Sequence, residues 1–307
     1  MKFFIYNPAT KLFDFFINAL KYEFEFLNMI VLNYNDYINN DVNNDVNNDI
    51  NNDIDYVNDI IMIIVDPHFI FDYKEIELEI LKINKMFKYK ILYITEPINF
   101  MIEKIIYTQL VKQINPYCLW TYTIENFNKI NLPRKIFKIF PENKINKFID
   151  VNLQNLEKRN INNIIFFGNI NENRIDICKK FNNYLINKTL AWSYEEWSKI
   201  LNDNLFYLNI HRRNNCKSFE SFRIIPILAN GGVIFSERCN TIEENIYKKY
   251  NIIFVNKKDL YNTFLNYIKN INYEEIYKRY INYINDMKSG SEINSFLEYH
   301  NICSKNI

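Results

Sequence analysis

The sequence predicts an α/β protein with two domains, each built on a parallel β-sheet with helices on both faces. Short apolar runs rich in Ile, Val and Phe alternate with longer segments whose apolar residues recur at helical spacing. This alternation is typical of parallel sheets. At 307 residues the chain is longer than one hydrophobic core usually serves, and its 48% of hydrophobic residues can fill two cores.

The first domain is predicted to span residues 1–145. Its expected strands lie at residues 2–6, 60–65, 90–95, 117–122 and 135–140, and its expected helices at 12–32, 73–87, 98–113 and near Asn126. The tetrapeptide repeat NNDV NNDV NNDI NNDI occupies residues 39–54. Asn and Asp form helices poorly, and aspartates four residues apart would repel one another in a helix. We therefore expect a solvated, disordered insertion over 39–55, in preference to an ion-binding or interaction segment.

The second domain is predicted to span residues 146–307, after a polar stretch at 141–160. Its expected strands lie at residues 161–167, 189–192, 205–210, 233–235 and 252–255, its expected helices at 171–184, 194–201, 219–229 and 260–268, and its tail is expected to be helical to about residue 299. Ser218 is expected to cap the helix at 219–229, because a serine hydroxyl accepts hydrogen bonds from the first amides of a helix. Gly231 is expected to end that helix.

The most informative stretch runs from residue 205 to residue 237. A strand, a charged loop, a helix and a second strand follow one another here, and this order forms a βαβ crossover. Ligands of such sheets bind beyond the carboxyl ends of the strands. Polar or charged residues follow both strands: His211, Arg212, Arg213, Ser236 and Glu237. These residues are therefore expected at the ligand-binding edge of the sheet.

The composition excludes several classes of protein. The net charge is +1 and no basic block is interleaved with aromatic residues, so nucleic acid is not expected as the main partner. The five cysteines form no CxxC pair and the three histidines lie far apart, which predicts a reduced compartment and no structural zinc site. Only four glycines occur, and they form neither the GxGxxG fingerprint nor a P-loop.

The sequence also predicts a cytoplasmic protein without a transmembrane segment. Asn7 and Pro8 interrupt the amino-terminal stretch before the apolar core of a signal peptide could form. The longest apolar run, residues 60–65, is far too short to cross a bilayer.

Several segments resemble those of GT-B glycosyltransferases. FFGNINENR at 166–174, LNIH at 208–211 and ESFRIIPILANGGVIFSE at 220–237 are similar to the carboxy-terminal half of these enzymes, in particular of "glycosyltransferase family 1"-like and CgeB-like proteins. YITEP at 93–97 and LWTYTIEN at 119–126 are similar to segments of the amino-terminal half. The resemblance covers roughly residues 60–268 and is specific only in the central stretch.

The resemblance implies two Rossmann-like domains that face one another across a cleft, with a helical carboxy-terminal tail. It implies a nucleotide-sugar donor held mostly by the second domain, and an acceptor (a glycan, lipid or protein) on the first. No cofactor or bound metal is expected, because no Asp-x-Asp stands at a strand end of the alternating regions and the His and Cys residues are scattered. Retaining enzymes of this fold often carry two glutamates eight residues apart. Ser218 and Pro226 stand at those positions here, so the pattern is absent, and Glu220 and Arg223 are candidates to replace it.

Cationic side chains are expected to bind the donor diphosphate, because the charge of the leaving group must be met without a metal. The candidates are Arg223, one turn into its helix, and Arg213 or His211 before that helix. Arg174, in FFGNINENR, is a further candidate donor-binding residue. The helix amino terminus adds free amides and partial positive charge. Alternatively, Arg223 forms an ordinary surface ion pair with Glu220, and Arg213 lies in a solvated loop.

Two carboxylates are candidates for the donor ribose, because one carboxylate can accept hydrogen bonds from two vicinal hydroxyls. These are Glu237, beside Ser236 at the strand end, and Glu220, which a helix dipole alone would also favour. Gly168 is a candidate for backbone approach to a phosphate, or a plain turn glycine. Trp192 either stacks on the base or belongs to the core.

Acceptor activation is expected from the first domain. Asp66, His68 and Glu96 follow its strands and are the candidate catalytic residues, although an acid before proline also shapes turns. The predicted function is therefore sugar transfer from a nucleotide-sugar donor. The alternatives are a nucleotide-sugar 2-epimerase of the same fold and a catalytically silent binding or scaffold protein.

Overall fold

The computed structural model describes residues 2–8, 17, 21, 30–34, 60–65, 74–94, 98, 101–116, 118–121, 151–188, 194–214 and 217–286. The described residues belong to two compact units, one containing the elements before residue 122 and the other those from residue 151 onwards. The domain boundary predicted between residues 145 and 146 lies outside the described residues.

The first unit contains a five-stranded parallel sheet. Its strands are β1 (Lys2–Tyr6), β2 (Ile30–Asn33), β3 (Ile60–Val65), β4 (Tyr89–Ile94) and β5 (Cys118–Thr121), in the order β2-β1-β3-β4-β5. Its helices are α1 (Lys74–Met86) and α2 (Met101–Ile114). Helix α1 forms because Ile76, Ile80 and Ile83 recur at helical spacing, and the last two pack on the sheet with Leu110 of α2.

One predicted element of this unit is wrong. Residues 30–32 were expected at the end of a long helix, but they belong to strand β2, which pairs with β1 from Lys2 and Ile30 onwards. The Ile-Val-Leu sequence suits a strand at the edge of the sheet, where Ile30 is 52% exposed. Ile17, within the same predicted helix, is helical. The repeat at 39–54, the helix near Asn126 and the strand at 135–140 lie outside the described residues.

The second unit contains another five-stranded parallel sheet. Its strands are β6 (Asn160–Phe166), β7 (Leu185–Asn187), β8 (Asn204–Asn209), β9 (Val233–Glu237) and β10 (Ile252–Val255), in the order β10-β9-β8-β6-β7. Its helices are α3 (Leu153–Glu157), α4 (Glu172–Lys180), α5 (Tyr194–Asp203), α6 (Ser221–Ala229), α7 (Thr241–Tyr247), α8 (Leu260–Ile268) and α9 (Tyr273–Asp286). The predicted fold class, two parallel α/β sheets with a helical tail, is confirmed as far as residue 286.

Both faces of the second sheet are buried. On one face, Tyr207 and Ile234 pack with Leu228 of α6. On the other, Phe206 and Phe235 pack with Phe264 of α8 through edge-to-face ring contacts. Strands covered on both sides read as continuous apolar runs, which is why β8 and β9 were visible in the sequence.

Helix α4 is shorter than predicted. It ends at Lys180 instead of residue 184, because Phe181 reverses the chain: its backbone N–H donates to the carbonyls of Ile177 and Cys178, and its own carbonyl accepts from Tyr184 and Leu185. The next strand, β7, therefore starts at residue 185. The strand predicted at 189–192 and Trp192 lie outside the described residues.

Ser218 does not cap helix α6. The helix begins at Ser221, Glu220 occupies the N-cap position, and Ser218 is buried in the segment before it. Phe219 was expected on the helical stripe but precedes the helix, where its ring stacks on Tyr247 of α7 at a centroid distance of 4.1 Å. Helix α7 was not predicted, and it holds this segment away from helical geometry.

Candidate functional site

The strand order of the second sheet defines a crevice at its carboxyl edge. Strand β7 lies on one side of β6 and β9 on the far side of β8, so the order of strands reverses between β6 and β8. The connections that leave β6 and β8 therefore run to opposite faces of the sheet, and ligands of such sheets bind at this reversal. The chain leaves β6 through Phe167 and Gly168, and it leaves β8 through Ile210 and His211.

Arg174 ties the two sides of this crevice together. Its Nε donates to the Ile210 carbonyl at 3.0 Å and its Nη1 to the Asn169 carbonyl at 2.9 Å. Its guanidinium lies 5.1 Å from the centroid of the Phe166 ring. Arg174 is only 3% exposed, so it is a buried cation that fixes both loops.

Two asparagines at the start of α4 add to this connection. The Nδ2 atoms of Asn171 and Asn173 donate to the carbonyls of Arg212 and His211 at 2.7 and 3.1 Å. Lys257, which follows β10, donates to Oδ1 of Asn173 at 2.8 Å and also contacts its carbonyl. These residues were not singled out from the sequence, although the spacing of Asn171, Asn173 and Arg174 along one helical turn was a usable signal.

Arg223 reaches the same crevice from helix α6. Its Nη1 donates to the Phe167 carbonyl at 2.7 Å, and its Nη2 forms an ion pair with Oε2 of Glu220. The side chains of Arg223 and Glu220 are 19% and 13% exposed. The ion pair anticipated as the alternative to ligand binding is therefore present, together with a contact to the loop after β6.

Gly168 allows the two guanidinium groups to converge. Its φ of +136° is a backbone conformation that side chains rarely adopt. A Cβ at this position would lie 3.1 Å from Nη1 of Arg223 and 3.3 Å from Nη1 of Arg174. Gly168 is thus more than a turn residue, because a side chain here would displace two cations.

The ends of β8 and β9 are joined by a polar network. Nδ2 of Asn209 donates to Oγ of Ser236 at 3.0 Å, and that hydroxyl donates to the Glu237 carbonyl at 2.8 Å. Oε2 of Glu237 accepts from the backbone N–H of His211 at 3.1 Å. Ser236 and Glu237 were expected after the strand but form its last two residues. Ser236 is buried and joins the strand ends, whereas Glu237 is half-buried.

His211 is 2% exposed and its Nε2 lies 2.8 Å from the Arg238 carbonyl. Because a carbonyl can only accept, Nε2 carries the hydrogen and Nδ1 is the acceptor of the neutral ring. Burial lowers the pKa of His211, while the hydrogen bond to Arg238 and the charge of Glu237 oppose that effect. A neutral imidazole is therefore expected near pH 7, which favours a hydrogen-bonding role for His211 over the cationic role that the sequence suggested.

The remaining candidates divide into two groups. Arg212 is exposed and Arg213 half-buried in the loop after β8. Asp66, His68 and Glu96 lie outside the described residues.

Two kinds of feature are absent from the described part of the chain. No group of three or more His, Cys, Asp or Glu side chains there is arranged to hold a metal ion. Likewise, no helix among those residues is long and apolar enough to cross a membrane.

Comparison with known proteins gave structural similarity only. No family model and no curated protein sequence matches the chain. A UDP-forming α,α-trehalose-phosphate synthase from Burkholderia xenovorans is similar over 78% of this chain and 73% of its own, with a TM-score of 0.40 and 12% identity. A structure from E. coli described as trehalose-6-phosphate bound with UDP-2-fluoro glucose is similar over 97% and 98%, with a TM-score of 0.45 and 10% identity. Similarity at this level says nothing about activity, so the site must be interpreted from its own residues.

Proposed function

We propose that this protein is a glycosyltransferase that moves a sugar from a nucleotide-sugar donor to an acceptor, and that the second unit binds the donor diphosphate. The observation that carries this proposal is the convergence of Arg174 and Arg223 beside Gly168, at the strand reversal of a parallel sheet. A diphosphate is a suitable ligand because it is anionic and small enough to approach a backbone without a side chain.

The two arginines would have different roles. Arg174 is buried and bonded to two carbonyls, so it would keep the loops after β6 and β8 in place and add positive electrostatic potential to the crevice. Arg223 is partly exposed and would contact the phosphate directly. When the bond between the anomeric carbon and the phosphate oxygen breaks, negative charge accumulates on the departing diphosphate, and a fixed guanidinium stabilises that charge.

Other residues complete the proposed donor site. Oε2 of Glu237 is bonded to His211, and its other carboxylate oxygen would accept from a ribose hydroxyl. The backbone amides at the start of α6 would add hydrogen-bond donors next to Arg223. Asp66, His68 and Glu96 remain the proposed catalytic residues of the acceptor side. A GT-B cleft, a reaction without metal and a cytoplasmic location belong to the same proposal.

Calorimetric titration with UDP, GDP and their sugars tests the binding step. Arg223→Ala should weaken binding about tenfold or more, because a charge-assisted hydrogen bond contributes about 1.5–3 kcal/mol. Arg238→Ala is the matched control, since Arg238 forms an exposed ion pair with Glu244 in the same unit. If no nucleotide binds, or if both variants bind like the parent, the proposed site is wrong.

Product analysis separates the activities. A glycosylated acceptor supports the transferase, whereas an epimerised nucleotide sugar supports the 2-epimerase. Nucleotide binding without turnover, over a broad set of glycan, lipid and protein acceptors, indicates the silent binding protein. Activity that a chelator abolishes and manganese restores would contradict the metal-independent reaction.

A further inference from the structure

A buried carboxylate on helix α7 holds the segment before helix α6. Glu243 is 1% exposed, and its Oε2 accepts from the backbone N–H of Phe219 at 3.1 Å. The same oxygen is in contact with Nδ2 of Asn240. A carboxylate suits this position because one oxygen can accept from two donors. Burying the Phe219 amide without an acceptor would destabilise this conformation.

Two further contacts attach this segment to α7. The backbone N–H of Asn240 donates to the Lys217 carbonyl at 2.8 Å, and the Asn240 side chain caps α7 by accepting from the Glu243 amide at 3.0 Å. The Phe219 ring stacks on Tyr247, also on α7. Helix α7 and its N-cap residue Asn240 therefore hold residues 217–219 through backbone hydrogen bonds and through the stacked ring of Phe219.

The fixed segment leads directly into the proposed donor site. The residue after Phe219 is Glu220, whose carbonyl accepts the Arg223 amide at 3.0 Å and whose carboxylate pairs with the Arg223 guanidinium. A chain of consecutive contacts thus runs from Glu243 through Phe219 to Arg223. Glu243 makes its contacts with Phe219 and Asn240 outside the crevice between the ends of β6 and β8.

We infer that Glu243 is a positioning residue for Arg223, and that it sets the affinity of the second unit for a nucleoside diphosphate without touching that ligand. This inference rests on the proposed function, because it assumes that Arg223 contacts the diphosphate. Independently of any ligand, Glu243 is expected to protect the Phe219 amide from hydrogen exchange.

The test compares Glu243→Ala with Glu244→Ala. Glu244 is the matched control because it is the next residue of α7 and its carboxylate binds the Cys239 amide at 2.9 Å and Arg238 at 2.8 Å, away from residues 217–219. By calorimetry with UDP and GDP, E243A should bind about five- to tenfold more weakly than the parent, and E244A within about twofold of the parent. Glu243→Gln should restore most of the affinity, because its amide oxygen still accepts from Phe219.

A double-mutant cycle shows whether the effect acts through the arginine. In the Arg223→Ala background, E243A should cause no further loss of affinity, because the group that it positions is gone. Hydrogen exchange of residues 217–224 should accelerate in E243A and not in E244A. If E243A fails to fold, the same comparison is made with Glu243→Asp, whose shorter side chain withdraws the acceptor from the Phe219 amide.

The outcomes separate the two proposals. If the parent binds a nucleotide and R223A weakens it while E243A does not, the positioning role is wrong and the donor site stands. If E243A and R223A weaken binding additively, Glu243 acts on general stability and the inference is wrong. If neither the parent nor any variant binds a nucleotide, the proposed function is wrong. If hydrogen exchange of the Phe219 amide is unchanged in E243A, Glu243 does not protect that amide.

Discussion

Gly168→Ala is the sharpest test of the convergent arginines. At a φ of +136°, an alanine would strain the backbone by about 1–3 kcal/mol. Its Cβ would also lie 3.1 Å from Nη1 of Arg223 and 3.3 Å from Nη1 of Arg174, closer than carbon and nitrogen comfortably pack. Relief requires either guanidinium to move by a few tenths of an ångström, which weakens its bond to the Phe167 or Asn169 carbonyl.

The expected result is a combined loss of stability and binding. The second unit should unfold several degrees lower, at about 2–4 °C for each kcal/mol. Affinity for UDP or GDP should fall about tenfold or more, because displacement of Arg223 removes a charge-assisted hydrogen bond. Thermal unfolding and calorimetric titration measure the two effects separately on the same preparation.

Gly231→Ala supplies the control for backbone strain and crowding away from the crevice. Gly231 also has a positive φ, +75°, and a Cβ there would lie 2.9 Å from Val151. It follows helix α6 and precedes β9 at the opposite edge of the sheet from the crevice. G231A should therefore lose stability and keep its nucleotide affinity. The reasoning is refuted if G168A binds like the parent, or if both variants lose affinity in proportion to stability.

Four further predictions concern other parts of the chain. Arg159→Met should raise the free energy of unfolding by about 1 kcal/mol or more, because no described residue accepts a hydrogen bond from this buried guanidinium. Burial also lowers the pKa of Arg159. A lower free energy of unfolding in the variant would show that the native protein supplies an acceptor. Burial lowers the pKa of His211, so its contribution to the free energy of unfolding should be fully present above about pH 6.5 and be lost as the pH falls through the folded-state pKa. His211→Asn should flatten this dependence when unfolding is measured across an acid titration. Deletion of residues 39–54 should leave the melting temperature within a few degrees of the parent, and a large decrease would show that the repeat packs against a domain. Glu96→Gln should keep nucleotide binding while turnover falls at least about a hundredfold, and turnover within a few-fold of the parent would reassign the base to another residue.

The strands were largely predictable because they are buried on both faces. Ile60–Val65 and the first three residues of Val233–Glu237 are continuous apolar runs whose identity depends little on context. The misplaced elements depend on tertiary contacts instead. Phe181 ends α4 through turn hydrogen bonds, and Phe219 leaves the helical pattern because Glu243 binds its amide. Neither event has a local sequence signature, since Phe is compatible with a helix at both positions.

The candidate site was predictable in its location and less so in its roles. The rule that ligands bind at the carboxyl ends of parallel strands correctly placed Gly168, His211 and Glu237 near one edge. It could not show that His211 is buried, because burial depends on how the loop after β8 folds back on Arg238. It also could not show that Arg174 lies beneath the loop after β6, bonded to carbonyls from two strand ends.

The acceptors of Arg223 bear on how the proposed donor site would bind a diphosphate. Nη1 is held by a neutral carbonyl, that of Phe167, and Nη2 by the carboxylate of Glu220. Because the guanidinium is charged, both bonds are charge-assisted, and exchange of the neutral carbonyl for an anionic phosphate oxygen favours the ligand by adding the attraction between opposite charges. The carboxylate competes more strongly, but a diphosphate presents several anionic oxygens to one guanidinium fork. Arg174 is less suited to the same exchange, because it is buried and its bonds to the Ile210 and Asn169 carbonyls connect two loops. Arg223 is therefore the cation whose bonds can be replaced, and Arg174 the one that keeps the crevice in shape.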